Sequence, residues 1–186
     1  MDSHADTFVA GRNCTVMHYT ERVCDVMPYS DSYEPRKDVP IATVATGYTS
    51  QNGKSCILII NEAIVINELE HSLLNPNQLR HFGIVVQDNP YDSTRSMEIS
   101  TRDRELVIAL RSSGTTIYAD TWSPTATDLE QLPHYTVTGP EPWEPTEVQY
   151  PSFNRDEMEE MEQIARPFIC FSLGRSSIVT VSTVGG

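Results

Sequence analysis

The stretch Val39-Pro40-Ile41-Ala42-Thr43-Val44-Ala45-Thr46-Gly47-Tyr48-Thr49, then Ser50-Gln51-Asn52-Gly53-Lys54, then Ser55-Cys56-Ile57-Leu58-Ile59-Ile60-Asn61-Glu62-Ala63-Ile64-Val65-Ile66, decides the fold class. Both arms are rich in β-branched residues, and Asn52-Gly53 between them supplies turn positions that tolerate positive φ. A hairpin is the prediction. Cys56 to Ile60 is an unbroken apolar run, as expected of a strand covered on both faces.

Outward from the hairpin the same vocabulary continues. Cys14-Thr15-Val16-Met17-His18 and Val23-Cys24-Asp25-Val26 predict two short strands, followed by a polar loop closed by Pro35 and Pro40. Downstream, Asn75 reads as a helix cap and Pro76 as a first helical residue, so a short helix is predicted over 76–82, ended by Gly83. A second hairpin is predicted from Glu105–Leu110 and Thr115–Asp120 around Arg111-Ser112-Ser113-Gly114, and a helical turn over 125–132 before Pro133. The fold class expected is all-β, or β-dominated, with short helices.

Residues 138–152 are rich in proline and glutamate, a composition that reads as a linker. Beyond it, 154–166 predict an amphipathic helix capped by Asn154, with Met158, Met161, Ile164 and Ala165 as its apolar stripe. Phe168–Phe171 and Ile178–Val184 predict one or two final strands, able to pair with the body or with another chain. The expected division is therefore a β domain over 1–137, a linker over 138–152 and a C-terminal helix and strand appendage over 153–186.

Bulk properties bound the function. A length of 186 residues suits one domain with an appendage, and a net charge of −13 argues against a broad nucleic-acid footprint. No stretch approaches 18 apolar residues, and residues 1–20 lack the profile of a secretion signal. A cytoplasmic location, with no membrane contact, is the expectation. The four cysteines at 14, 24, 56 and 170 form no Cys-x-x-Cys pair and read as free thiols. Cys14, His18 and Cys24, with His4 as a fourth ligand, would make a zinc set of unusual spacing; alternating strand positions more often hold buried thiols, so neither metal nor cofactor is expected.

The most chemically pointed stretch is Asp2-Ser3-His4-Ala5-Asp6-Thr7-Phe8-Val9-Ala10-Gly11, and Leu73-Leu74-Asn75-Pro76-Asn77-Gln78-Leu79 with Phe82-Gly83-Ile84 follows about 70 residues later. Together these resemble the retropepsin-like aspartic protease of copia-type retrotransposon polyproteins. The resemblance covers roughly the first 140 residues in the order loop, hairpin, Leu-Leu turn and second hairpin. It implies an acid-protease barrel and a peptide hydrolase that cuts its own polyprotein.

What the resemblance implies for the site follows residue by residue. Aspartic proteolysis uses two carboxylates about 3 Å apart that share one proton. One signature loop supplies one of them, so a two-fold homodimer would supply the other. Asp2 is then the catalytic candidate, and Ser3 would brace the two loops across the dimer axis through its hydroxyl. Ala5 would let the loops approach and Asp6 would line the cleft. The 39–66 hairpin would be the flap that closes over a polypeptide substrate, with Thr46, Gly47 and Tyr48 in contact with it. His4 stands where the family places glycine, adding bulk and a possible positive charge beside the aspartates. Only Met1 precedes Asp2, so the apolar strand that leads into the aspartate in the family would lie upstream, as in a frame cut from a longer polyprotein. A second reading is a non-catalytic retropepsin-like module that serves as a binding or scaffold domain.

Overall fold

In the computed structural model, residues 6–28 and 32–149 are described, together with the backbone of 181–183. In chain order the strands are β1 (Val9–Ala10), β2 (Thr15–Val26), β3 (Arg36–Thr49), β4 (Ser55–Val65), β5 (Val85–Gln87), β6 (Glu98–Ser100), β7 (Val107–Ala109), β8 (Arg111–Ser113), β9 (Thr116–Tyr118), β10 (Thr121–Trp122), β11 (His134–Thr136) and β12 (Val181–Thr183). Among the described residues two α-helices interrupt them, α1 (Pro76–His81) and α2 (Ala126–Gln131). Strand dominates and each helix has six residues, so the chain is β-rich as its composition predicts.

The β3–β4 hairpin forms where the sequence places it, paired from Thr49↔Ser55 to Ile41↔Ile64. Its turn is a five-residue loop in which Gly53 alone takes positive φ, at 80°, and the Ser50 amide donates to the Lys54 carbonyl at 2.8 Å. Ile57 and Ile60 are almost fully buried, on faces that alternate along β4. The remaining strands add to the edges of this pair. β2 joins β3, β12 joins β2, and β1 and β11 share the free edge of β4, both parallel to it.

β2 is one long strand where two short ones were predicted. Its register slips between Tyr19 and Val23, opposite Ala42 and Pro40, so bulges absorb what the sequence presents as a break. Pro40 has no amide to offer a ladder, which makes that slip cheap. The second predicted hairpin also shifts. Val107–Ala109 pairs back onto β6, and the hairpin proper is the short β8–β9 pair around Gly114, φ 58°.

The expected barrel does not close among the described residues. The main sheet runs β1-β4-β3-β2-β12 with ends that do not meet, and β5-β6-β7 form a separate sheet. The largest core cluster lies between the two sheets, joining Val44, Leu58 and Ile60 to Val86, Ile99 and Ile108. A smaller cluster of Val9, Cys24, Ile41 and Ile64 fills the other face of the main sheet. No helix among the described residues is long and apolar enough to cross a membrane.

After Val137 the described chain touches the body at Thr138 and Trp143. Val137 donates to Ile59, Thr138 is buried, and Trp143 is 7% exposed, so two residues of the stretch expected as a linker over 138–152 lie against the body. Of the predicted C-terminal elements, Val181–Thr183 is antiparallel to β2, opposite Val26 to Cys24. The helix over 154–166 and the strand over 168–171 lie outside the described residues.

Candidate functional site

Between the two sheets opens a cavity of about 600 Å³, within the size range of small-molecule and peptide side-chain sites. Its walls are chiefly apolar: Phe8 and Leu79 at one end, Leu58 and Ile60 from β4, Ile99 and Ile108 from the smaller sheet. Asn13, Thr46, Ser72 and Thr121 contribute polar groups to its lining. These polar groups are bonded to one another. Ser72 Oγ donates to Asn13 Oδ1 at 2.7 Å and accepts the Gly11 amide at 2.9 Å. Asn13 Nδ2 donates to Thr121 Oγ1 at 2.7 Å, and Thr46 Oγ1 donates to the Asn13 carbonyl at 2.8 Å. Such a network is rigid and orients the Gly11–Cys14 turn. Cys14 Sγ lies 3.2 Å from Ser72 Oγ, and burial pushes its thiol up from the ordinary value, which disfavours the thiolate.

The segment that follows the candidate catalytic loop is held on both sides by backbone. Val9 and Leu73 exchange two hydrogen bonds of 2.9 Å, while Ile64 and Ile66 donate to Phe8 and Ala10 at 2.9 and 3.0 Å. A Cβ on Gly11 would lie 2.8 Å from the carbonyl oxygens of Leu69 and His71, which explains why the backbone at that turn carries no side chain.

Helix α1 closes the arrangement. Asn75 Oδ1 accepts the amides of Asn77 and Gln78 at 2.7 and 3.0 Å, Pro76 opens the helix, and Gly83 ends it at φ 81°. Gln78, 1% exposed, turns its Oε1 to the Phe8 amide at 2.8 Å, while its Nε2 finds no acceptor among the described residues. An acidic or amide residue at this third helical position ordinarily reaches back to the cap. Here it reaches across 70 residues to the N-terminal segment.

The candidate residues are distributed as follows. Asp2, Ser3, His4 and Ala5 lie outside the described residues. Asp6 is half-buried, its carboxyl raised from the ordinary value by burial, and its carbonyl accepts Trp143 Nε1 at 3.0 Å. Thr46 is in the cavity wall. Gly47 sits beneath the Trp122 ring, and Tyr48 is buried with its hydroxyl accepting the Ala109 amide at 3.0 Å. Thr46 and Phe8 therefore share the cavity, whereas Gly47 and Tyr48 tie β3 to β10 and β7. The arms of the hairpin read as a flap are flanked by other strands, and its exposed part is the 50–54 turn.

Of the zinc set, Cys14 faces Ser72, His18 Nε2 lies 3.4 Å from Thr43, and Cys24 is buried in the smaller core. Among the described residues no three His, Cys, Asp or Glu side chains gather as a metal site would require. The sequence reading passed over Asn13, Ser72, Gln78 and Trp143. Only Gln78 carried a local signal, its place in a capped first turn. Compared with family models, curated proteins and solved structures, the chain has no match.

Proposed function

We propose that this protein is an aspartic endopeptidase of the retropepsin kind, acting in the cytoplasm as a homodimer with Asp2 from each chain, on a polypeptide that includes its own polyprotein. The observation that carries the reading is the anchoring of Asp6–Gly11. Every backbone bond just described fixes this segment beside an apolar cavity, and Asp2 lies four residues upstream, within about 14 Å of chain. A firmly held segment close in sequence to Asp2 supports the reading, because acid-base catalysis demands a positioned carboxylate. In the dimer one Asp2 carboxylate would take a proton from water while the other gave one to the peptide oxygen. The net charge of −13 favours the shared proton by opposing the dianion.

The test is peptide cleavage from pH 3 to 8 by the native chain, Asp2→Asn and His4→Gly, with sedimentation at micromolar concentration. The expected result is a dimer active below neutral pH, and at least a thousandfold slower with Asp2→Asn. Cleavage by Asp2→Asn at the native rate sinks the mechanism.

A second reading has its own observation in favour. The described cavity walls run from Phe8 to Val137 and are chiefly apolar, so an apolar peptide segment could be bound there with no chemistry done to it. A strict monomer that binds peptides without cutting them is the outcome that selects this reading.

A further inference from the structure

We infer that Trp143 is a positioning residue for the N-terminal segment at Asp6, and that Thr138–Glu147 is a strap which holds that segment against the end of α1. The inference rests on the endopeptidase reading for its consequence in catalysis, though not for its geometry. The strap is attached at a single irregularity of the main sheet. β4 has one residue more than β3 between Ile60 and Ala63, and at this bulge Glu62 takes φ 55°, a left-handed conformation that a non-glycine residue adopts at a cost. The bulge frees Asn61 and Glu62 from the ladder and turns them to the strap. Asn61 N and Nδ2 donate to Thr138 Oγ1 and O, both at 2.7 Å, and Thr138 Oγ1 donates back to the Asn61 carbonyl at 3.0 Å. Buried Glu62 accepts the Trp143 amide at 3.2 Å and pairs with Arg22, which also pairs with Glu144 of the strap.

What this anchoring presents is the indole. Trp143 packs edge-on to His81, with ring centroids 5.1 Å apart, and lies 5.9 Å from Phe82, which places it against the end of α1. From there its Nε1 reaches the Asp6 carbonyl at 3.0 Å, across 137 positions of sequence. Gln78 of the same helix holds the Phe8 amide. The segment that leads to Asp2 is thus gripped at two successive points, one by α1 and one by the strap. Removing the second grip leaves Phe8 to Ala10 in the sheet but frees the chain ahead of Thr7.

The experiment compares the full native chain with Trp143→Phe, which keeps a ring against His81 and Phe82 and deletes the indole donor. Amide exchange at Thr7 is expected to quicken about tenfold while exchange at Phe8, which Gln78 still holds, and in β3 and β4 is unchanged, and peptide cleavage should lose about tenfold in kcat with KM within twofold. Unchanged exchange at Thr7 overturns the inference, as does faster exchange there in a chain that still cleaves at the native rate. Glu62→Gln, which weakens the anchor without touching the indole, should reproduce the exchange change in part. Should the native chain cleave nothing, the endopeptidase reading fails on that result alone, and the exchange measurement still decides the strap.

Discussion

The β3–β4 hairpin and the 138–147 strap both press on the same bulge, yet they are held by opposite means. The hairpin is stabilised by a backbone ladder and by apolar side chains on both faces, among them Val44, Ile57 and Ile60, all at or below 1% exposure. The strap has one turn of its own, a 3-10 turn over Pro145–Glu147, and is fastened by Thr138, Trp143 and Glu144 to polar groups of Asn61, Glu62 and Arg22. A ladder with apolar faces stabilises itself wherever the pattern repeats. A strap of this kind is stable only if particular distant partners are present, and each partner then carries an outsized share.

The comparison can be broken in order of effect. Ile60→Ala removes a buried side chain from the main core, and should cost about 3 kcal/mol in a urea melt, with exchange faster throughout both sheets. Glu62→Ala should cost about 2 kcal/mol, because it strands the Trp143 amide and half of the Arg22 guanidinium. Its signature is local: exchange at Trp143 rises while β3 and β4 keep their protection. Equal loss of protection in the hairpin would mean that the two regions unfold as one. Thr138→Val, close in shape, leaves the Asn61 amide without its acceptor and should cost about 1.5 kcal/mol, again confined to the strap.

The smallest effect is electrostatic. Burial raises the Asp6 carboxyl, so the folded state holds that proton more tightly than the unfolded chain does. Ionised Asp6 therefore opposes folding, and the cost is absent below the unfolded value and grows as pH rises through the folded one. Asp6→Asn should melt slightly higher than native at pH 7 and at the same temperature at pH 3. A gain at pH 3 as large as at pH 7 would assign the effect to something other than the charge.

Thiol chemistry sharpens the contrast from the side of the sheet. Cys24 is fully buried, and its thiol is pushed up to about 11, by burial first and then by the neighbouring Asp25 charge. Alkylation at pH 8 should leave Cys24 untouched in the native chain and modify it promptly in urea. Rapid native modification would show that the smaller core opens more readily than its packing implies.

What could be read from the sequence alone was whatever depends on neighbours in the chain. Asn52-Gly53 between two β-branched runs, Asn75-Pro76 ahead of a helical turn and Gly83 after it each specify local backbone shape, and each appears where it was placed. The helical turn before Pro133 appears too, opened by a Thr125–Asp128 capping box. Long-range choices were not available to that reading. No local pattern marks a bulge at Glu62, joins Gln78 to Phe8 or carries Trp143 to Asp6. The strap's prolines and glutamates describe a stretch unable to form its own ladder, and so resemble a linker. Only the folded sheet, by offering Asn61, Glu62 and Arg22 at one irregular point, decided that it packs, because a hydrogen bond across 81 or 137 positions leaves no periodic trace in either of the segments it joins.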